Sequence, residues 1–140
     1  MCRAVFADIF YWAALTNPGD NSHERALAFS RSLRPEITVT TEELLDEYLA
    51  HFSAARPSVR IRAGDTVSAL LQYPGVLVIP QSHESFLSGL DLYRARPDKG
   101  YSLTDCISVH VMRQRGLTDV LTNDRHFEQE GFRALFRFPV

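Results

Sequence analysis

The 140-residue sequence is poor in the features that mark secreted, membrane-spanning and nucleic-acid-coating proteins. Its two cysteines, Cys2 and Cys106, are too few for a disulfide framework or a zinc site, and they fit a reducing compartment. It has no apolar run of the roughly 20 residues needed to cross a bilayer, so we expect a cytoplasmic protein with no membrane association. The net charge of −2 excludes a global basic field, so an anionic substrate must be held locally or through a metal.

The composition that is present is ordinary for a globular protein. Apolar residues make up 45% of the chain and charged residues 23%, which argues against disorder. A chain of this length buries a core without covalent staples, and we expect one domain over residues 1–140. Helix and strand patterns alternate without internal repeats, which indicates an α/β fold.

The strand and helix patterns predict a three-layer α/β/α sandwich around a central, mainly parallel five-stranded sheet. The apolar segment 76–79 is typical of a parallel strand covered on both faces. Thr40 and Glu43 form a capping-box pattern that opens a helix, and Gly116 ends the helix that follows Ser102. The predicted strands are 4–7, 37–39, 76–79, 119–122 and 132–136, and the other helices begin near residues 21, 57 and 84.

Four carboxylates have apolar neighbours and lie where strands end or helices begin: Asp8, Glu47, Asp105 and Asp124. Asp8 and Asp124 each follow a short apolar strand, so both are expected at the carboxyl edge of the sheet, where open α/β sheets bind ligands. Carboxylates without histidine or cysteine suit Mg²⁺ or Mn²⁺. The pattern therefore favours a divalent-metal site.

Each of these acids also has a purely structural interpretation. Asp8 could cap the helix after its strand, and Asp105 could belong to the cap formed by Ser102. Glu47 lies in an acidic stretch of a helix, which is usually a solvated face. Asp124 could form an Asx-turn. No one of the four is specific when taken alone.

Taken together, four segments of the chain resemble one family. They are VFAD at 5–8, TTEELLDE at 40–47, SLTDC at 102–106 and GLTDVLTNDRHF at 116–127, followed by Gly131 and Phe132. This set is similar to the motifs of PIN-domain ribonucleases of the VapC toxin type, and the resemblance spans nearly the whole chain. It implies a PIN-like fold, and it selects Glu47 rather than Glu43 or Asp46 as the acidic residue of the second motif.

The resemblance implies a catalytic site in which Asp8, Glu47, Asp105 and Asp124 hold Mg²⁺ or Mn²⁺. It further implies endoribonuclease activity, an RNA substrate, a homodimer and an antitoxin protein that covers the acidic pocket. We take Ser102 and Thr122 as candidates for supporting a carboxylate, although a helix cap and an ordinary strand residue explain them as well. Arg125 and His126 are candidates for contacting the substrate, with His126 also able to stabilise its own turn. Lys99 and Arg96 in the preceding loop are further candidates.

One departure from the family pattern leaves two other functions open. Ile9 and Phe10 follow the first aspartate, where the family has small or hydroxyl residues, so hydrogen bonding around the metal could be weakened. The alternatives are a housekeeping RNA-processing PIN nuclease without an antitoxin, and a non-catalytic PIN-like binding module. The aromatic run of Phe10, Tyr11 and Trp12 serves either an interface or the core, and the core is the favoured interpretation.

Overall fold

A computed structural model describes residues 3–32 and 37–138, which leaves Cys2 outside the described residues. Five parallel strands form one sheet in the order β3-β2-β1-β4-β5. This arrangement confirms the predicted α/β fold with a central parallel sheet. The strands are β1 (Ala4–Ala7), β2 (Ile37–Thr41), β3 (Val76–Ile79), β4 (Asp119–Leu121) and β5 (Arg133–Ala134).

Helices cover both faces of the sheet because the strand residues alternate between two apolar clusters. Val5 and Ala7 of β1 face a cluster that contains residues of α1, α2 and α4, whereas Phe6 faces a cluster built on α6 and α7. The layers are therefore helix, sheet and helix. The helices are α1 (Ile9–Thr16), α2 (His23–Ser32), α3 (Glu42–His51), α4 (Pro57–Gln72), α5 (His83–Ala95), α6 (Leu103–Gln114) and α7 (Arg125–Gln129), and a 3-10 helix (Leu135–Arg137) follows β5.

The cap of α3 differs from the prediction by one residue. Thr41, not Thr40, accepts a hydrogen bond from the backbone N–H of Leu44 at 3.1 Å. Thr40 is fully buried inside β2, where its hydroxyl donates to the carbonyl of Ala7 and accepts from the indole N–H of Trp12. Two adjacent threonines carry the same capping signal, and only the tertiary contacts decide which of them leaves the sheet.

The last strand is shorter than predicted, since the chain turns into the 3-10 helix after only two paired residues. The aromatic residues after β1 lie in the core, as favoured: Tyr11 and Trp12 are buried, and Phe10 packs edge-on against Phe136 at 5.0 Å. Cys106 is a buried free thiol. Among the described residues, no helix is long and apolar enough to cross a membrane.

Candidate active site

Asp8 and Thr122 leave the sheet side by side. β1 pairs with β4 so that Ala7 lies opposite Leu121, and the next residue of each strand therefore emerges at the same carboxyl edge. The Thr122 hydroxyl donates to Asp8 Oδ2 at 2.8 Å, and it accepts from the backbone N–H of Asp124 at 3.1 Å. One buried threonine thus links two of the four predicted carboxylates.

Asp8 is the most deeply buried of the four carboxylates, with 6% of its surface exposed. The pKa of Asp8 rises from 3.8 to about 7, chiefly because the carboxyl group is buried, and the nearby charges of Asp105 and Asp124 contribute to this rise. Hydrogen bonds from Thr122 and the backbone of Ile9 oppose this rise without cancelling it. The ionised form of Asp8 therefore lacks a positive partner among the described residues that surround it.

Asp105 has its carboxylate fixed at the first turn of α6. The Ser102 hydroxyl accepts from the backbone N–H of Asp105, and Asp105 Oδ2 accepts from the backbone N–H of Ser102, both at 3.0 Å. This is a capping box, so the structural interpretation of Ser102 holds. The same Asp105 oxygen lies 3.4 Å from Nδ1 of His126, so the cap also aims the carboxylate at the pocket.

Glu47 faces the same region from α3. Its carboxylate accepts a hydrogen bond from the Thr104 side chain, and its charge is close enough to Asp105 for the two to repel. Burial, followed by this repulsion, raises the pKa of Glu47 above its usual range. Of the two other acids considered for this position, Asp46 is exposed and accepts a hydrogen bond from the Gln81 side chain at 2.9 Å, whereas Glu43 is half-buried like Glu47.

Asp124 and His126 complete the cluster at the start of α7. The backbone N–H of His126 donates to Asp124 Oδ1 at 2.9 Å, so Asp124 caps the helix. Nδ1 of His126 lies 3.4 Å from both Asp124 and Asp105. One ligand atom from each of Asp105, Asp124 and His126 falls within 4.8 Å of the others, which is a spacing that a metal ion can bridge.

Two curated relatives match most of the chain. Each is named 23S rRNA-specific endonuclease VapC20, one from Mycobacterium tuberculosis strain CDC 1551 and one from strain H37Rv. Each is 26% identical over 128 residues, which cover 91% of this chain and 95% of the relative. The chain matches none of the protein-family models with which it was compared.

Solved structures agree in fold. The crystal structure of M. tuberculosis VapC20, described as a Sarcin-Ricin loop cleaving toxin, superposes with a TM-score of 0.81 at 25% identity, over 91% of this chain and 95% of that one. The resemblance to VapC-type PIN-domain ribonucleases is confirmed. FitAcB from Neisseria gonorrhoeae, with a TM-score of 0.66 at 17% identity over 93% of this chain and 95% of that one, shares the fold alone.

In this VapC-type fold, the four carboxylates predicted from the motifs form one acidic cluster, called the acidic pocket below, which is joined by electrostatic coupling from Glu47 to Asp105 and from Asp105 and Asp124 to Asp8. Of the four, only Asp105 and Asp124 belong to the group that lies within 4.8 Å. Sequence reasoning missed two contacts. Thr104 bonds Glu47, and the His126 ring lies between Asp105 and Asp124. The position of Thr104 directly before Asp105 was a usable signal for the first contact.

The residues suggested for phosphate contact behave differently from one another. Arg125 is exposed at the start of α7, next to Asp124. Arg96 is instead ion-paired with Glu130 at 3.0 Å, and Lys99 lies 4.0 Å from the carboxylate of its neighbour Asp98. Arg125 is therefore the better placed of the three cations for a ligand at the pocket.

Behind α7, the acidic pocket rests on a second buried carboxylate. Glu130 accepts hydrogen bonds from Arg96 and Tyr101, at 3.0 and 2.9 Å, and from Arg113 at 3.0 Å. The ring of Tyr101 packs edge-on against His126 with their centroids 5.0 Å apart. This network supports the face of His126 that borders the pocket.

Proposed function

We propose that the chain is a metal-dependent endoribonuclease and the toxin of a type II toxin–antitoxin pair. The observation that carries this proposal is a cluster of four electrostatically coupled carboxylates in a VapC-type fold, with Asp8 buried beside other acids. Structural carboxylates are normally paired with cations, because an unpaired buried charge is strongly destabilising. A pocket built from like charges requires a cation to be complete.

The donor set fits a divalent cation. Asp105, Asp124 and His126 offer ligand atoms within 4.8 Å of one another. We propose that Asp8, which is electrostatically coupled to both aspartates, and Glu47, which is coupled to Asp105, complete the site. Oxygen ligands of this kind favour Mg²⁺ or Mn²⁺. When bound, such a cation acidifies a water molecule and neutralises the charge that develops on the leaving oxygen of a phosphodiester.

The chain's own residues orient the site. The Thr122 hydroxyl fixes Asp8 and the Ser102 cap fixes Asp105, so two carboxylates are held in place before substrate arrives, and the Thr104 side chain stabilises the ionised form of Glu47. Such preorganisation lowers the cost of reaching the reactive geometry. Arg125 and His126, at the rim, are proposed to contact phosphate oxygens of the RNA.

The proposed substrate is ribosomal RNA, and the proposed setting is the cytoplasm. VapC20 is named for cleavage of 23S rRNA, and similarity over 91% of the chain supports the same substrate class here. We further propose that the chain forms a homodimer, that residues 1–140 act as one nuclease unit, and that a cognate antitoxin covers the acidic pocket. An adjacent short reading frame encoding a binding partner would distinguish a toxin from a housekeeping nuclease.

The test is cleavage of purified 23S rRNA in Mg²⁺, in Mn²⁺ and in EDTA, with mapping of both ends of each product. We expect cleavage only with metal, leaving a 5′-phosphate and a 3′-hydroxyl. Asp8→Asn should abolish it, whereas Asp65→Asn, which removes an exposed charge on α4, should not. A parent protein that cleaves no RNA and whose melting temperature ignores millimolar Mn²⁺ would contradict the proposal and favour a binding module.

A further inference from the structure

A separate groove lies beside the acidic pocket. It has a volume of about 420 Å³ and opens between the first turns of α3, α5 and α6. Glu43, Ser82, Phe86 and Thr104 line it, together with His83 and Ile107. Its volume falls within the range of roughly 300–1,000 Å³ that is typical of ligand sites in proteins. Glu43 and Thr104 come from two of the motif segments, whereas Ser82, His83, Phe86 and Ile107 lie outside all of them.

The groove and the acidic pocket share a wall. Thr104 lines the groove, and its hydroxyl bonds the Glu47 carboxylate inside the pocket. Asp105 is the next residue on α6, and Glu43 lies one helical turn before Glu47 on α3. The groove and the carboxylates therefore adjoin on the same two helices, so a chain that lies across the acidic pocket can extend into the groove.

The groove combines a flat apolar surface with a polar edge. Phe86 has 45% of its surface exposed, and its ring is nearly parallel to that of His83, with an angle of 13° and centroids 6.4 Å apart. Glu43, on a different helix, supplies a carboxylate that can accept hydrogen bonds. Nucleobases have the matching form, because their faces stack on aromatic rings and their edges carry donors and acceptors.

We propose that this groove binds the base of an unpaired nucleotide next to the scissile phosphate, stacked on Phe86 and with an amino group directed at Glu43. The inference rests on the proposed RNA cleavage and adds a specificity site to it. A carboxylate accepts from the amino groups of cytosine, adenine or guanine, which uracil lacks. A phosphate is disfavoured in the groove because Glu43 repels it.

The binding test uses the Asp8→Asn protein in Mg²⁺ with fluorescently labelled single-stranded RNA octamers, rC8 and rU8, measured by anisotropy. We expect Phe86→Ala to weaken binding of rC8 about ten-fold, in line with the loss of one base-stacking contact. Leu87→Ala is the matched control, because Leu87 is exposed to the same degree, 46%, on the same helix but does not line the groove. Phe86→Trp should restore binding.

The specificity test compares the two octamers. The Asp8→Asn protein should bind rC8 more tightly than rU8, and adding Glu43→Gln should reduce that preference. Equal affinity for the two octamers would overturn the role of Glu43. Equal losses from Phe86→Ala and Leu87→Ala would overturn the groove as a base site.

Measurements of RNA cleavage distinguish a failure of this inference from a failure of the proposed nuclease function. With 23S rRNA, Phe86→Ala in the otherwise unchanged protein should raise KM about ten-fold and leave kcat within about three-fold. Binding of rC8 through Phe86 without any cleavage by the parent would refute the proposed nuclease and support the groove. A protein that neither binds nor cleaves RNA would refute both.

A change of oligomeric state on size-exclusion chromatography of Phe86→Ala would instead assign the groove to a protein interface and overturn the inference.

Discussion

Asp8 and Glu130 are both buried carboxylates, but their surroundings are opposite. The Glu130 side chain is 3% exposed and has two arginines and a tyrosine hydroxyl as donors. Burial alone would raise its pKa, but the hydrogen bonds from Arg96, Tyr101 and Arg113 outweigh this effect and lower it. The pKa of Asp8 rises to about 7, because burial dominates and its charged neighbours are acids.

The difference shows which carboxylate is complete within the protein. The donors around Glu130 satisfy its carboxylate. It therefore joins the end of α7 to the loop before α6 and to α6 itself without any further ligand. Asp8 remains costly to ionise without a cation beside it, and the proposed metal would bind only the deprotonated site. The buried charge of Glu130 is therefore stabilised within the protein, whereas that of Asp8 is not. This is the pattern expected for a site whose function requires a ligand.

The largest expected effect comes from neutralising the pocket. Asp8→Asn, Glu47→Gln, Asp105→Asn and Asp124→Asn should each lower kcat/KM for RNA by at least about 100-fold, because each removes a charge that the cation requires. In EDTA, Asp8→Asn and Glu47→Gln should melt at or above the temperature of the parent, since repulsion is relieved. A variant that cleaves RNA as fast as the parent would show that its residue is not a ligand.

The second effect is a pH dependence of the metal-free protein. The folded-state pKa of Asp8, about 7, exceeds its unfolded value of 3.8, so between these values the folded state binds more protons. The free energy of unfolding should therefore fall as pH rises through this window, by up to a few kcal/mol from Asp8. Urea unfolding in EDTA at pH 4.5, 6 and 7.5 should show that the free energy of unfolding of Asp8→Asn, relative to that of the parent, increases as pH rises. A difference that stays constant with pH would contradict this.

The third effect concerns Glu130, the carboxylate that the protein's own donors satisfy. Glu130→Gln should lower the free energy of unfolding by about 2 kcal/mol, because it removes a charged acceptor from three donors. Arg96 and Arg113 are partly exposed and can turn to water, which limits the loss. Asp91→Asn, an exposed acid on α5, is the control and should change stability by less than about 0.5 kcal/mol. If Glu130→Gln also abolished cleavage in the folded protein, the network would belong to the site.

Much of the fold could be predicted from the sequence because strand and helix periods are local properties. The apolar runs of β1, β3 and β4 and the breakers around the helices fixed the elements to within a few residues. The choice between Thr40 and Thr41 as cap could not be predicted, since it depends on a contact with Trp12 that is 28 residues away. The short β5 likewise depends on how Phe136 packs between α1 and α2.

The pocket was predicted residue by residue only through the family motifs. Periodicity places Asp8 and Asp124 at one sheet edge, but nothing local separates Glu47 from the acids around it. The Thr122 bond to Asp8 follows from strand register, which a single sequence does not give. The groove at Phe86 was not predicted, because it is formed by the first turns of three helices that are distant in sequence.

The smallest expected effect concerns Thr122, whose hydroxyl donates to Asp8. Thr122→Val keeps the shape of a fully buried side chain and removes the hydroxyl that donates to Asp8. Loss of a hydrogen bond that orients a ligand lowers metal affinity by about 10- to 100-fold, and we expect the lower end because the backbone of Ile9 also holds Asp8. Titration of cleavage with Mn²⁺ should give a higher half-saturation concentration and a recovered rate at saturation. Thr122→Ser, which keeps the hydroxyl, should behave as the parent, and equal titrations for the valine and serine variants would show that Thr122 is only a strand residue.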